Sequence, residues 1–129
     1  MSTGILRDLE SMVKATGFAV CDTGDGTGEE LSAAIDTNFA TEILLHSVLH
    51  DKGVAGTLDT KATESDTSGG SYTDVASGAI AQQIANGVAS LAIKPSKRYL
   101  KVSCTAGTNA ITGFGFVEIA GSKTYPNPL

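Results

Sequence analysis

Residues 58–75 read LDTKATESDTSGGSYTDV, and the fold turns on how this stretch is understood. On its left, Leu58, Thr60 and Ala62 alternate with Thr57, Asp59 and Lys61. That is the period of two expected of a strand with one face turned inward. On its right, SYTDVA begins a second strand. Between them lies a knot of Asp, Thr, Ser and Gly. Asp66 and Ser68 can hydrogen-bond nearby backbone N–H groups, and Gly69 and Gly70 tolerate positive φ. The same groups could cradle a metal ion or a phosphate. The turn chemistry is sufficient by itself, so residues 65–71 are expected to form an exposed hairpin connection that holds no metal.

Outward from this hairpin, alternation persists from about residue 30 to the end of the apolar sequence. ELSAAID reads as a first strand. FATEILLHSVLH is long and apolar on both sides, as a central strand should be. GAIAQQIA is ambiguous between a strand and a helical turn. VASLAIKP ends at Pro95, which has no N–H for a ladder. RYLKVSCTA sets Leu100, Val102 and Cys104 against Tyr99, Lys101 and Ser103, and AITGFGFVEIAG closes the set. Strands about ten residues apart, separated by turn residues, predict an antiparallel β-sandwich or jelly roll. Leu45, Leu58, Ala62, Leu91, Leu100, Val102 and Val117 are its expected core.

The N-terminal stretch GILRDLESMVKAT has a different period. Ile5, Leu6, Leu9, Met12 and Val13 form an apolar stripe at helical spacing, and Arg7, Asp8, Glu10 and Lys14 occupy the other side. Gly17 stands where a helix ends. A helix this short is marginal alone and must pack on something. CDTGDGTGEE follows and reads as a loop. The expected organisation is a helix or arm over 1–22, a β-sandwich over 30–121 and a C-terminal arm over 122–129.

Composition narrows the function. The chain has 129 residues, a net charge of −5, no Trp, four Phe and three Tyr. A nucleic-acid binder shows a basic face, whereas only Lys94, Lys97, Arg98 and Lys101 cluster here. Membrane-surface binding is disfavoured on the same ground, and no apolar run approaches the ~20 residues of a membrane span. The first twenty residues lack a basic start followed by an apolar run, so no export signal is expected. Cys21 and Cys104 lack metal-ligand spacing. They read as small buried thiols, with a disulfide between them as the alternative.

His46 and His50 have the spacing of a zinc helix, but Ser47 stands where the zincin Glu belongs. On a strand the pair shares a face and could meet a metal in principle. Asp22, Asp25, Glu29 and Glu30 do not follow the EF-hand pattern, though an irregular calcium site is conceivable there. Glu64, Asp66, Ser68 and Tyr72 have acid–base chemistry without a catalytic pattern around them. No P-loop and no G-x-S-x-G elbow occurs. The expectation is a protein with no catalytic residues, no cofactor and no metal.

Two segments carry a resemblance. LDTKATESDTSGGSYTDV resembles a strand–loop–strand unit in which an E-S-D turn precedes a Tyr- or Phe-Thr-Asp-Val strand. IKPSKRYLKVSCTAGTNAITGFGFVEIAG resembles the partner of that unit: K-R-Y, a hydrophobic residue, K/R-V, a polar loop and an apolar strand of small residues. In this order they are similar to the head decoration, cement or auxiliary capsid proteins of tailed bacteriophages, over residues 30–121. The C-terminal AGSKTYPNPL departs from the Gly-His-Pro-Arg-like stretch with which relatives often finish. The resemblance implies a β-sandwich on the outer surface of the virion capsid. It implies binding to the major capsid protein as a symmetric oligomer, a homotrimer or a homodimer, with no nucleic acid and no membrane involved. Ile5, Leu6, Leu9, Met12 and Val13, together with Tyr125, are the expected contacts with another chain. The alternative is a carbohydrate- or host-surface-binding sandwich. Such modules present exposed aromatic rings, and with no Trp and only Tyr72, Tyr99 and Tyr125 this chain is poorly equipped for that.

Overall fold

A computed structural model describes residues 21–22, 28–40 and 42–119. The expected N-terminal helix with Ile5, Leu6, Leu9, Met12 and Val13, and the C-terminal arm with Tyr125, lie outside the described residues. The strands are β1 (Cys21–Asp22), β2 (Gly28–Leu31), β3 (Ile35–Asp36), β4 (Ile43–Asp51), β5 (Thr57–Ser65), β6 (Thr73–Ala79), β7 (Gly87–Ile93), β8 (Tyr99–Gly107) and β9 (Thr112–Ile119). Sheet A has the order β1-β9-β4-β7. Sheet B has the order β2-β8-β5-β6, with β3 also paired to β8. Every pairing is antiparallel. The pairs β1–β9, β2–β8, β4–β7 and β5–β6 are nested as in a ribbon wound around a barrel, which is the strand order of a jelly roll.

The alternation seen in the sequence builds the core. Inner rows come from β4 (Ile43, Leu45, Leu49), β5 (Leu58, Ala62), β8 (Leu100, Val102, Cys104, Ala106) and β9 (Val117, Ile119), and all are buried. Full burial of each Val, Leu or Ile is worth about 1.5–3 kcal/mol. Leu91 is only half-buried, because β7 is the edge of sheet A and has cover on one flank alone. One polar link crosses the core. Ser47 Oγ of β4 lies 2.7 Å from Thr60 Oγ1 of β5, and Gln83 Oε1 accepts from the same Ser47 hydroxyl.

β9 departs from the usual polarity of a strand in a sandwich. In GFGF, Gly113 and Gly115 face inward while Phe114 and Phe116 face outward. A Cβ on Gly115 would sit 2.8 Å from Cys104 Sγ, 2.9 Å from Thr60 Cγ2 and 3.0 Å from Val102 Cγ1. Sheet B comes too close at Gly115 for any side chain, so this half of β9 carries its bulk on the outside, while Val117 and Ile119 further along turn inward.

Several local readings are corrected. ELSAAID is two strands. At the break, Ser32 Oγ accepts from Val102 N at 2.8 Å, so a side chain replaces a ladder carbonyl. CDTGDGTGEE carries strand pairing at both of its ends. Cys21 and Asp22 pair with Gly115 and Phe114, and Gly28–Leu31 pairs with 103–106 at the opposite sheet. The sandwich therefore begins before residue 30. GAIAQQIA is extended: Leu58 and Gln83 exchange backbone hydrogen bonds of 3.0 and 2.9 Å, which commits those groups to β5 rather than to a helical turn. β6 is seven residues long and bulged; its register against β5 shifts between Lys61 and Thr63, and Ser77 sits at φ 56°.

Candidate interaction faces

The residues with possible chemistry are dispersed by this fold. His46 and His50 are four residues apart on an extended strand, about 13 Å at ~3.3 Å per residue. The ladder is also irregular between Leu49 and Asp51. They cannot share one ion, and among the described residues no group of three His, Cys, Asp or Glu could hold a metal. Glu29 and Glu30 are exposed on β2, where Glu29 accepts a hydrogen bond from Ser103 Oγ. Cys104 is a buried thiol, its Sγ 3.8 Å from Thr60 Oγ1.

The connection over 66–71 is exposed, and the hydrogen bonds that define it are its own. Thr67 N donates to Ser65 Oγ at 3.2 Å, Gly70 N to Thr67 O at 3.1 Å, and Tyr72 Oη to Ser68 O at 2.8 Å. Neither Gly69 nor Gly70 has positive φ. Gly70 is required for a different reason: its Cβ would stand 2.9 Å from Ser65 Oγ, and closer still to Thr67 Oγ1.

Among the described residues Glu64 is the one candidate acid that is buried, and its carboxylate holds the loop before β8. It accepts from Ser96 N at 2.7 Å, Ser96 Oγ at 3.0 Å and Lys97 N at 3.3 Å. Beside it, Thr63, Glu64 and Ser65 pair with Lys101, Leu100 and Tyr99. The two sequence segments that resemble phage head proteins are thus one hydrogen-bonded unit.

The outer faces of the two sheets offer surfaces of opposite kinds. On sheet A, Leu44, Val48, Phe114 and Phe116 are half-buried and Val88 is 68% exposed. Across the centre, His46 Nδ1 lies 2.7 Å from Ser90 Oγ and His46 Nε2 lies 3.1 Å from Glu118 Oε1. The imidazole stacks on Phe116 at 4.8 Å between centroids, and Phe114 lies 6.0 Å beyond Phe116. Serine, histidine and carboxylate in a row are the atoms of a nucleophilic relay. Here they span β7, β4 and β9 and link the three strands through their side chains. Sequence spacing of 44 and 72 residues gave no sign of this trio.

On sheet B the outer residues are charged and paired. Arg98 Nε and a second guanidinium nitrogen donate to Asp36 at 2.8 and 2.9 Å, and this contact raises the Arg98 pKa. Lys61 Nζ is 3.0 Å from Asp74, Lys101 Nζ lies 4.7 Å over the Tyr72 ring, and Arg98 lies 5.4 Å over Tyr99. Partial burial, and then the neighbouring Tyr99, raise the Tyr72 pKa above the ordinary phenol value. Between the free edges of β6 and β7 runs a third feature, a groove of about 520 Å³ with Ile43, Ala76 and Ile93 on its walls and Glu42 and Lys94 among its lining residues.

No family model matches the chain, and no curated protein is similar to it. Solved structures do overlap it. The PBSX exported protein XepA is 12% identical with a TM-score of 0.57, over 86% of this chain and 37% of that one. The SPBc2 prophage-derived protein YomS is 8% identical with a TM-score of 0.47, over 78% of this chain and 92% of that one. The N-terminal xylanase 10B modules of Clostridium thermocellum, complexed with xylohexaose, are 12% identical with a TM-score of 0.47, over 92% of this chain and 28% of that one. This chain thus spans little more than a third of XepA and less than a third of the xylanase modules. At these identities the likeness to XepA is one of fold, a shared frame of antiparallel sheets.

Proposed function

We propose that this protein is a structural component of a bacteriophage head, a decoration or cement protein. In this reading it binds the major capsid protein on the outer surface of the virion and reinforces the capsid lattice without catalysis, as a homotrimer or a homodimer. One observation carries the reading. The two segments that resemble head decoration proteins, which begin at Leu58 and Ile93, fold into one unit joined through the Glu64 carboxylate and the β5–β8 ladder. A frame of paired sheets suits the role, because a lattice repeats each weak contact many times and gains by multivalency. The test is co-sedimentation with expanded heads that lack the protein. Saturable binding at a fixed ratio to the major capsid protein, with heads made more resistant to heat, is expected. Absence of binding to such heads would refute the assignment.

The aromatic row His46–Phe116–Phe114 on the outer face of sheet A supports a second reading, a carbohydrate- or host-surface-binding sandwich, since stacked rings are what sugar faces pack against. A glycan array separates the two readings: decoration predicts no retained glycan.

A further inference from the structure

The edges of the two sheets are unequally guarded. An open edge presents unpaired N–H and C=O groups to any other strand, and proteins blunt such edges by shortness, by charge or by a bulge. Among the described strands, β1 and β3 are two residues long, β2 carries Glu29 and Glu30, and β6 carries Asp74 and is bulged against β5. β7 has none of these devices. Its seven residues, GVASLAI, hold no charge and no proline, and they pair with β4 in unbroken register from Gly87 to Ile93. Its other flank has no backbone partner among the described residues; there the Gly87 carbonyl accepts only from the side chain of Gln83, and Val88 is 68% exposed. We propose that this edge is an interface for a second copy of the chain: β7 pairs antiparallel with β7 about a two-fold axis at Ser90, and the two four-stranded A sheets become one.

The sequence of β7 is complementary to itself. Opposing residues of an antiparallel pair share a face, so the axis must pass through a residue, and only an axis at Ser90 uses the full length of the strand. It sets Ala89 against Leu91, Val88 against Ala92 and Gly87 against Ile93, so each large side chain of one copy meets a small one of the other. An axis at Leu91 would oppose two leucines and bring Val88 to Lys94. With the axis at Ser90 no like charges meet, because Lys94, just past the strand, stands opposite Asn86 of the second copy. On the outer face Ser90 is the neighbour of His46, its hydroxyl 2.7 Å from His46 Nδ1. Two such hydroxyls face each other across the axis, and the His46–Glu118–Ser90 chain of each copy continues into the other. On the inner face, half-buried Leu91 gains the cover that an edge denies it. Beside Ala92 and Ile93, the groove lined on the β6 side by Ala76 and Ser77 leaves room for a strand, and this register brings Gly87 of the second copy there. The backbone groups alone would accept any strand; the alternation of sizes selects this one. The pairing is a property of the isolated chain and does not rest on binding to a head.

Sedimentation of the full-length protein, without heads, is expected to show a reversible dimer with a dissociation constant in the micromolar range. The alternate β7 amides that point away from β4 should exchange slowly with solvent at high concentration and fast on dilution. Val88→Lys puts a charge on the edge at an exposed site. It should leave the amide spectra of β5 and β8 unchanged and weaken dimerisation by about tenfold or more. Adding Ala92→Glu to Val88→Lys sets opposite charges across the axis twice, and should restore the dimer at low salt and not at high salt. A protein that stays monomeric at millimolar concentration, a trimer, a Val88→Lys dimer as tight as the parent, or a double variant no tighter than Val88→Lys would each overturn the proposal. Head binding is measured separately, so a monomer that still decorates heads sinks the β7 pairing alone.

Discussion

The two outer faces of this sandwich come from the same alternation and differ in nearly every respect. The outer face of sheet A sets Phe114, Phe116, Leu44 and Val48 around a His46–Glu118–Ser90 chain. The outer face of sheet B sets Arg98 against Asp36, Lys61 against Asp74 and Lys101 over Tyr72. Water suits the second arrangement, because each charge keeps both its partner and its solvation. The first arrangement sets apolar side chains around one polar chain, His46–Glu118–Ser90. A period of two therefore reports which residues share a face, and the side-chain chemistry of the outward row reports whether that face is wet.

The largest effect should come from the layer beneath the apolar face. Gly115→Val places methyl groups where Cys104, Thr60 and Val102 already stand, and is expected to destabilise by about 3 kcal/mol or more. A urea midpoint unchanged from the parent would show that the sheets can part there. Next, Phe116→Ser removes a half-buried ring and its stack on His46, at a cost of about 2 kcal/mol. If the face is simply solvent-exposed, the loss measured by thermal unfolding falls well below that figure.

On sheet B the same kind of surgery should matter much less. Lys61→Ala breaks an ion pair whose side chains are 40% and 66% exposed, and its cost should be below about 1 kcal/mol and vanish in high salt. A salt-independent loss comparable to that of Phe116→Ser would erase the distinction between the faces. The smallest effect is a titration. The Tyr72 pKa is raised, chiefly by partial burial and then by Tyr99, so above pH 10 the unfolded chain gives up a proton that the folded chain retains. Stability from this group is complete below the unfolded value and declines as the pH climbs through the folded one. Ultraviolet titration of a Tyr125→Phe protein should show one phenol ionising late, and Tyr99→Phe should bring it partly back.

Much of the fold was legible because inward Leu58 and Ala62 of β5 and Leu100, Val102 and Cys104 of β8 alternate with more polar outward neighbours. What failed to show were features set by partners distant in the chain. The short strand at Cys21–Asp22 has no pattern of its own, and exists because β9 offers it an edge. Ser32 reads as an ordinary strand residue until Val102 donates to its hydroxyl. Gly70 looks like a residue chosen for positive φ, whereas two hydroxyls crowd it. At the candidate surface, the Phe114–Phe116 pair was visible as letters, but its outward direction depended on Cys104 and Thr60 filling the space behind the glycines. The assembly of His46, Ser90 and Glu118 depended on the register of three strands, which spacing within any one of them does not encode.

The pairing of β1 with β9 brings together the two ends of the described sandwich. Cys21 stands opposite Gly115, four residues before the end of β9 at Ile119. Cys21 and Ile119, the two ends of the described sandwich, therefore lie at one corner of it, about 13 Å apart along the strand direction. In architectural terms the domain is nearly a closed ring of strands with its clasp at that corner. A short glycine–serine bridge across the clasp, with the chain reopened between Ser68 and Gly69, is a circular permutation that the ladder would tolerate.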